Sequence, residues 1–182
     1  MTLLMGSCVT GVRRVDADQQ IDLSGSWNDT DSRLVATTMS DSILKGRWIS
    51  DFQARNDRRP AVVVGNILNR THDHIAVNTF TTEIERTLVN SGDVRVLQGG
   101  EFREQLRIER VDQQEMASPE TAARLGREIG ADYVLQGVIS SIVDSSSYQR
   151  LVYYQVDLHL TSVETAEKVW IESEQIKKIV AR

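Results

Sequence analysis

The sequence is poor in cysteine, with one in 182 residues. That excludes an internal disulfide and any zinc cluster built on cysteine. It has no block of like charge, which argues against a polybasic membrane tether. The net charge is -5, so the basic stripe of a general nucleic-acid binder is missing. No stretch reaches the roughly 18 apolar residues of a transmembrane helix. There is no GxGxxG or Walker pattern and no GxSxG elbow, so phosphate-cradling loops and the hydrolase nucleophile turn have no support. What is present is a 40% hydrophobic fraction, enough for a real core, in a length that suits one domain or one domain with a tail.

The one cysteine is Cys8. Leu3, Leu4 and Met5 are apolar, and Gly6 and Ser7 are small. Small residues ahead of a cleavage point suit a signal peptidase, whose site must admit an extended backbone. The pattern resembles the lipobox of bacterial lipoproteins. In those proteins the cysteine becomes the mature N-terminus and carries the lipid. A charged n-region and a full apolar h-region are missing before Cys8, so the true start is expected upstream of Met1. Val9 follows where an aspartate commonly signals inner-membrane retention, which resembles the outer-membrane default. Residues 1–8 are thus expected to be a signal remnant, 9–28 a polar linker and 29–182 a globular domain. Fully extended, that linker spans at most about 70 Å.

Asn28–Ser32 is dense in N-cap residues, and a helix is expected to follow, ending in the polar stretch Arg55–Arg59 before Pro60. Its buried stripes are Val35, Met39, Ile43 and Leu44, Trp48, Phe52. Ala61–Leu68 is the best central-strand candidate, being short, apolar and β-branched. A helix over Val77–Asn90 buries Phe80, Ile84 and Leu88, and Gly92 closes it. A short strand over Val94–Leu97 follows. Further helices are expected at Glu101–Glu115 and from Ser118 to Gly130, the second marked by Ser118, Pro119 and Glu120. The C-terminal third reads as a meander. Tyr133–Val143 is interrupted by Gly137, Leu151–Val163 alternates, and Lys168–Ile179 is the last strand. The expectation is a single α+β domain, a mixed β-sheet with a C-terminal antiparallel meander and about four packed helices.

Few residues suggest chemistry. His72, Asp73 and His74 follow the strongest strand, and histidines at i and i+2 suit zinc. A site needs three or four ligands and groups that orient them. His159 is the only other histidine, and alternation turns it away from Leu158 and Leu160. The pair is read as part of a surface loop, with no metal or cofactor expected. A zinc hydrolase on His72 and His74 is the third-ranked alternative. Trp27 and Trp170 are candidate interface residues, Trp170 the more core-like. Tyr153 and Tyr154 fall on opposite faces of their strand, one core and one exposed. Without a catalytic motif, a binding role is expected and an enzyme is not.

Three segments resemble the LpoB family, lipoprotein activators of bacterial peptidoglycan synthases. They are WNDTDSRLVA (Trp27–Ala36), VVVGNILNRTHDHI with LVNSGDVRVL (Val62–Ile75 and Leu88–Leu97), and GREIGADYVLQGVISSIVD with YQVDLHLTSVETAEKVWIESEQIKK (Gly126–Asp144 and Tyr154–Lys178). The IGADYVLQG type of motif is shared with the wider group of TolB N-terminal domains and curli-secretion lipoproteins. The resemblance implies an outer-membrane lipoprotein, anchored at Cys8 and facing the periplasm. Its domain would dock on a class A penicillin-binding protein and stimulate it. The short, proline-free linker departs from the long proline-rich one of better-known members. Docking is expected near Arg107, Arg110, Tyr148 and Arg150, since arginine and tyrosine are enriched at interface hot spots. The alternative is a structural lipoprotein of an envelope assembly or secretion system on the same fold.

Overall fold

A computed structural model describes residues 12–17, 19–98, 127 and 130–181. Helix α1 (Asp29–Leu44) begins at a capping box. The Asp31 amide donates to Asn28 Oδ1 at 3.1 Å, and the Asn28 amide donates to Asp31 Oδ2 at 2.9 Å. The box satisfies two amides that the first helical turn leaves without partners. The sequence suggests one unbroken helix that ends in the stretch Arg55–Arg59. The chain instead turns at Gly46 and restarts as α2 (Trp48–Asn56). The Trp48 indole N–H donates back to Ile43 O at 2.8 Å, so the break caps a carbonyl of the last turn of α1. A Cβ at Gly46 would meet that indole at 2.5 Å. Periodicity misses this break because Ile43 before it and Trp48 and Phe52 after it are all buried.

Strand β1 (Ala61–Asn69) is followed by α3 (Val77–Ser91) and the short β2 (Arg95–Leu97). Phe80, Ile84 and Leu88 form the buried stripe of α3 as expected, and Gly92 ends it in the left-handed region. The chain then forms β3 (Tyr133–Ser145), β4 (Gln149–Ser162) and β5 (Lys168–Ala181). The sheet order is β2-β1-β3-β4-β5. β1 lies parallel to both neighbours, whereas β3, β4 and β5 are antiparallel. This is the expected single α+β domain with a mixed sheet and a C-terminal meander. The helices expected at Glu101–Glu115 and from Ser118 lie almost wholly outside the described residues.

The core fills one face of the sheet. Val35, Met39, Ile43, Phe52, Phe80, Ile84 and Leu88 pack on Val62, Val64, Leu135, Ile139, Val156, Leu158 and Leu160. The alternation in β4 holds, with Val152, Tyr154, Val156, Leu158 and Leu160 all fully buried. Gly137 does not interrupt β3, which runs unbroken and two residues past the expected Val143. A Cβ there would meet Asp157 O and Leu158 Cδ2, each at 2.3 Å. The glycine makes room for Leu158 to lie across β3.

Candidate functional site

Because Val152, Tyr154 and Val156 face the helices, the residues between them face away. At the β3–β4 hairpin end this outer face carries several apolar side chains, with Lys177 and Asp144 beside them. Register sets Ile142, Tyr153 and Lys177 in one row, and Asp144, Leu151 and Ile179 in the next. Ile142 is 65% exposed and Ile179 67%. Isolated exposed apolar residues are ordinary, but several on one rigid surface mark a contact site.

The hairpin tip is built by Ser146. Its amide donates to Gln149 O at 2.8 Å, and its Oγ accepts from the Gln149 amide at 3.1 Å. Each strand therefore runs two residues closer to the tip than the expected turn of Asp144–Arg150 allowed. Tyr148 is held at the tip, 80% exposed. Arg150 pairs with Ser145 and Val180 and is half-buried on the helix side. The structure thus brings Tyr148 and Arg150 to one tip but turns Arg150 away from the apolar outer face. Arg107 and Arg110, like Cys8, lie outside the described residues.

Next to the apolar rows runs a polar ladder. Tyr153 Oη donates to Gln155 Oε1 at 2.9 Å, Gln155 Nε2 donates to both oxygens of Asp157 at 2.9 Å, and Ser173 Oγ donates to Asp157 Oδ1 at 2.7 Å. His159 continues this face. It is half-buried, not solvent-facing as alternation alone suggested, because it packs in a row with Gln136 and Ile171. Burial, with the Lys168 charge behind it, holds the imidazole below its ordinary pKa. Long strands with bonded side chains hold such a surface in fixed geometry.

The inner side of the same end carries a latch that sequence reading missed. The Trp27 amide donates to Asp73 Oδ2 at 3.2 Å, and the Trp27 ring meets Tyr154 edge-on at 5.4 Å. Tyr154 Oη donates to Asp73 Oδ2 and also faces Gly25 O at 3.1 Å. Burial, then the Asp73 carboxylate, pushes the Tyr154 phenol above its ordinary pKa. Lys178 Nζ donates to Asp31 at 2.6 Å, Asp22 at 2.8 Å and Ser26 O at 3.3 Å. Burial pulls the Lys178 pKa down, but the bonds to Asp22 and Asp31 outweigh it and leave the ammonium above its ordinary range. Gly25 is buried, and a Cβ there would lie 2.6 Å from Val180 Cγ2. Asp22–Asn28, assigned to the linker by composition, are therefore bonded to the domain. Trp27 serves this latch rather than an open interface. Trp170 Nε1 donates to Ser42 Oγ at 3.2 Å and packs against the core, while Val169 and Ile171 face the other way.

The histidine loop is part of the same latch. His72 and His74 are exposed, and Asp73 between them turns inward to Trp27 and Tyr154. Among the described residues no cluster of histidine, cysteine or carboxylate has metal-site geometry. The one signal available in sequence was Tyr154 itself, a polar hydroxyl on a buried apolar stripe that needs a partner.

At the opposite end a cleft is lined by Arg55, Arg127, Asp132, Glu164 and Glu167. Its strongest groups are already bonded. Arg58 forks onto both oxygens of Asp132 at 2.7 Å, Asp132 also accepts from the Ala61 amide at 2.7 Å, and Arg127 donates to Val163 O at 3.0 Å. These bonds tie β1, the start of β3 and the β4–β5 turn together.

The family model of the peptidoglycan-synthase activator LpoB matches residues 31–176. The chain resembles the C-terminal domain of LpoB from Escherichia coli, at 19% identity and TM-score 0.47, over 72% of this chain and 93% of that one. It resembles the NMR structure of Escherichia coli LpoB at 16% identity and TM-score 0.48, over 98% of this chain and 84% of that one. The lipoprotein GNA1162 from Neisseria meningitidis is similar at 17% identity and TM-score 0.44, over 65% of this chain and 83% of that one. No curated protein matches the chain.

Proposed function

The chain belongs to the family of the peptidoglycan-synthase activator LpoB, and on that footing we propose that it is an envelope lipoprotein that binds and activates a class A penicillin-binding protein. Cys8 carries the lipid, and the domain faces the periplasm from the outer membrane. The chain regulates an enzyme without being one. The observation that carries this reading is the family match over residues 31–176, nearly the whole folded region.

The docking surface is the hairpin end, with Tyr148 at the tip, Ile142, Leu151 and Ile179 on the outer face, and Arg150 at the rim. Arg107 and Arg110 are proposed contributors from outside the described residues. An exposed aromatic beside apolar side chains on rigid strands suits a contact whose energy sits in a few anchors. The latch also bears on reach. With Asp22 bonded to Lys178, the segment from Val9 to Ile21 spans at most about 45 Å. A partner in the inner membrane must therefore extend outward to meet this domain.

The test uses the full chain carrying Cys8→Ser, mixed with each class A synthase of its own cell. Binding and a faster rate of glycan polymerisation are expected with one of them. Tyr148→Ala and Ile142→Asp should each weaken that binding at least about tenfold, with unchanged melting temperature. If the parent chain neither binds nor stimulates any of the synthases, the activator reading fails.

A further inference from the structure

The cleft at the end of the sheet away from the hairpin tip encloses about 620 Å³, within the usual range of small-molecule sites. Its walls come from the last turn of α2, the residues just ahead of β3 and the β4–β5 turn. Asp132 and Arg58 are committed to each other, but other groups in the cleft are not. Tyr133 is 4% exposed. Its ring packs edge-on against Trp48 at 5.0 Å and Phe52 at 5.7 Å. No hydrogen bond among the described residues involves its hydroxyl, whereas a buried phenol ordinarily finds a partner. Burial pushes that phenol above its ordinary pKa, so it stands as a donor. Of the four charges that act on it, Arg55, Asp132 and Glu164 line the cleft. The hydroxyl is therefore aimed into that space.

Two guanidinium groups and two further carboxylates surround it. Arg55 donates its Nε to Asp51 O at 3.0 Å and keeps both terminal nitrogens. Arg127 uses one terminal nitrogen on Val163 O. Glu164 and Glu167 are carried by the β4–β5 turn. Ser162 holds that turn, its amide donating to Glu167 O at 2.8 Å and its carbonyl accepting from the Ala166 amide at 2.9 Å.

We propose that this cleft binds a short peptide with a free ammonium and a free carboxylate. Arg55 and Arg127 take the carboxylate, Glu164 and Glu167 take the ammonium, and the Tyr133 hydroxyl donates to a peptide carbonyl. The mixed lining selects the class. A purely anionic ligand would face Glu164, Glu167 and Asp132, and a purely cationic one would face Arg55 and Arg127. Like charges brought together reject a ligand, and a zwitterion avoids both clashes. A guanidinium fork matches a carboxylate at two points. Phe52 and Val163 add apolar wall for the side chains. A volume in this range suits a peptide better than a single amino acid. The site lies away from Tyr148 and does not rest on the activator reading, so either can fail without the other.

The experiment uses the full chain with Cys8→Ser and trialanine as the probe, read by amide NMR shifts. Saturable shifts centred on residues 55–56, 130–133 and 162–167 are expected, with a Kd of about 1 mM or tighter. N-acetyl-trialanine and trialanine amide each lack one charge and should bind at least about tenfold more weakly. Arg55→Gln should weaken trialanine but not its amide, and Glu164→Gln should weaken trialanine but not its acetylated form, because each pair removes the same contact. Tyr133→Phe keeps the ring against Trp48 and Phe52 and should weaken binding about five- to tenfold, with no loss of melting temperature. A parent chain without saturable shifts, blocked peptides that bind as tightly as trialanine, or a Tyr133→Phe variant that binds as the parent does each overturns the proposal.

Discussion

Tyr154 Oη donates to Asp73 Oδ2, tying the middle of β4 to the loop that follows β1. The same carboxylate oxygen takes the Trp27 amide at 3.2 Å. One side chain between two exposed histidines thus joins three distant parts of the chain. Tyr154→Phe keeps the ring against Trp27 and removes the hydroxyl, and should cost about 1–2 kcal/mol. Asp73→Ala strands both donors and should cost more. Urea unfolding midpoints of the two variants give that order, and equal midpoints would contradict it.

Lys178 is the partner of Asp31, whose side chain is 6% exposed. Lys178→Met leaves that carboxylate buried with its capping role but without a counter-charge. A loss of about 2 kcal/mol is expected, with little recovery in high salt because the pair is shielded from solvent. Asp22 is exposed and adds less, so the urea midpoint of Asp22→Asn should stay close to that of the parent and well above that of Lys178→Met.

His159 sets a pH dependence. Its folded pKa lies below the ordinary value of 6.5, through burial first and the Lys168 charge second. The unfolded chain therefore binds the proton at a higher pH than the folded one. Stability should fall as pH drops below about 6.5 and level off once the folded imidazole is protonated. Melting temperature from pH 7.5 to 5 reads this directly. His159→Gln should flatten the slope in that window, and an unchanged slope would assign it to other groups.

Gly25 is the tightest point of the latch. A Cβ there would sit 2.6 Å from Val180 Cγ2 and 3.3 Å from Val152 Cγ2. Gly25→Ala should release the segment before Trp27 while the sheet stays folded. Limited trypsin digestion after Arg13 and Arg14 cannot separate the variants, since both arginines are exposed in the parent. A protease that cuts after the half-buried Trp27 can, and faster cleavage there in the variant is the expected result.

The meander was the most legible part of the sequence. Its period-two pattern at Val152, Tyr154, Val156, Leu158 and Leu160 names the buried face without ambiguity. The helix stripe of Phe80, Ile84 and Leu88 was equally clear. Boundaries failed where side chains rather than periodicity decide them. Trp48 caps α1 and breaks the first helix, and Ser146 tightens a turn that a run of polar residues made look long. Composition hid the latch, because Asp22–Asn28 are polar and read as linker. They dock through backbone carbonyls, a glycine and single carboxylates, none of which leaves a repeating pattern. At the candidate docking end, the exposure of Tyr148 was legible. The outer row of Ile142, Leu151 and Ile179 required register between three strands.

The latch also fixes how the domain carries load. A pull on the N-terminal segment meets α1 first at Arg33, whose guanidinium donates to Ala17 O at 2.6 Å. It is then taken up at Lys178 on β5, at Tyr154 on β4 and at Asp73 beyond β1. Two of these points lie on strands and the third on the loop after β1, so tension spreads over several elements. The domain then behaves as a plate hung from its hairpin end, able to swing on the segment before Asp22 without losing its folded shape.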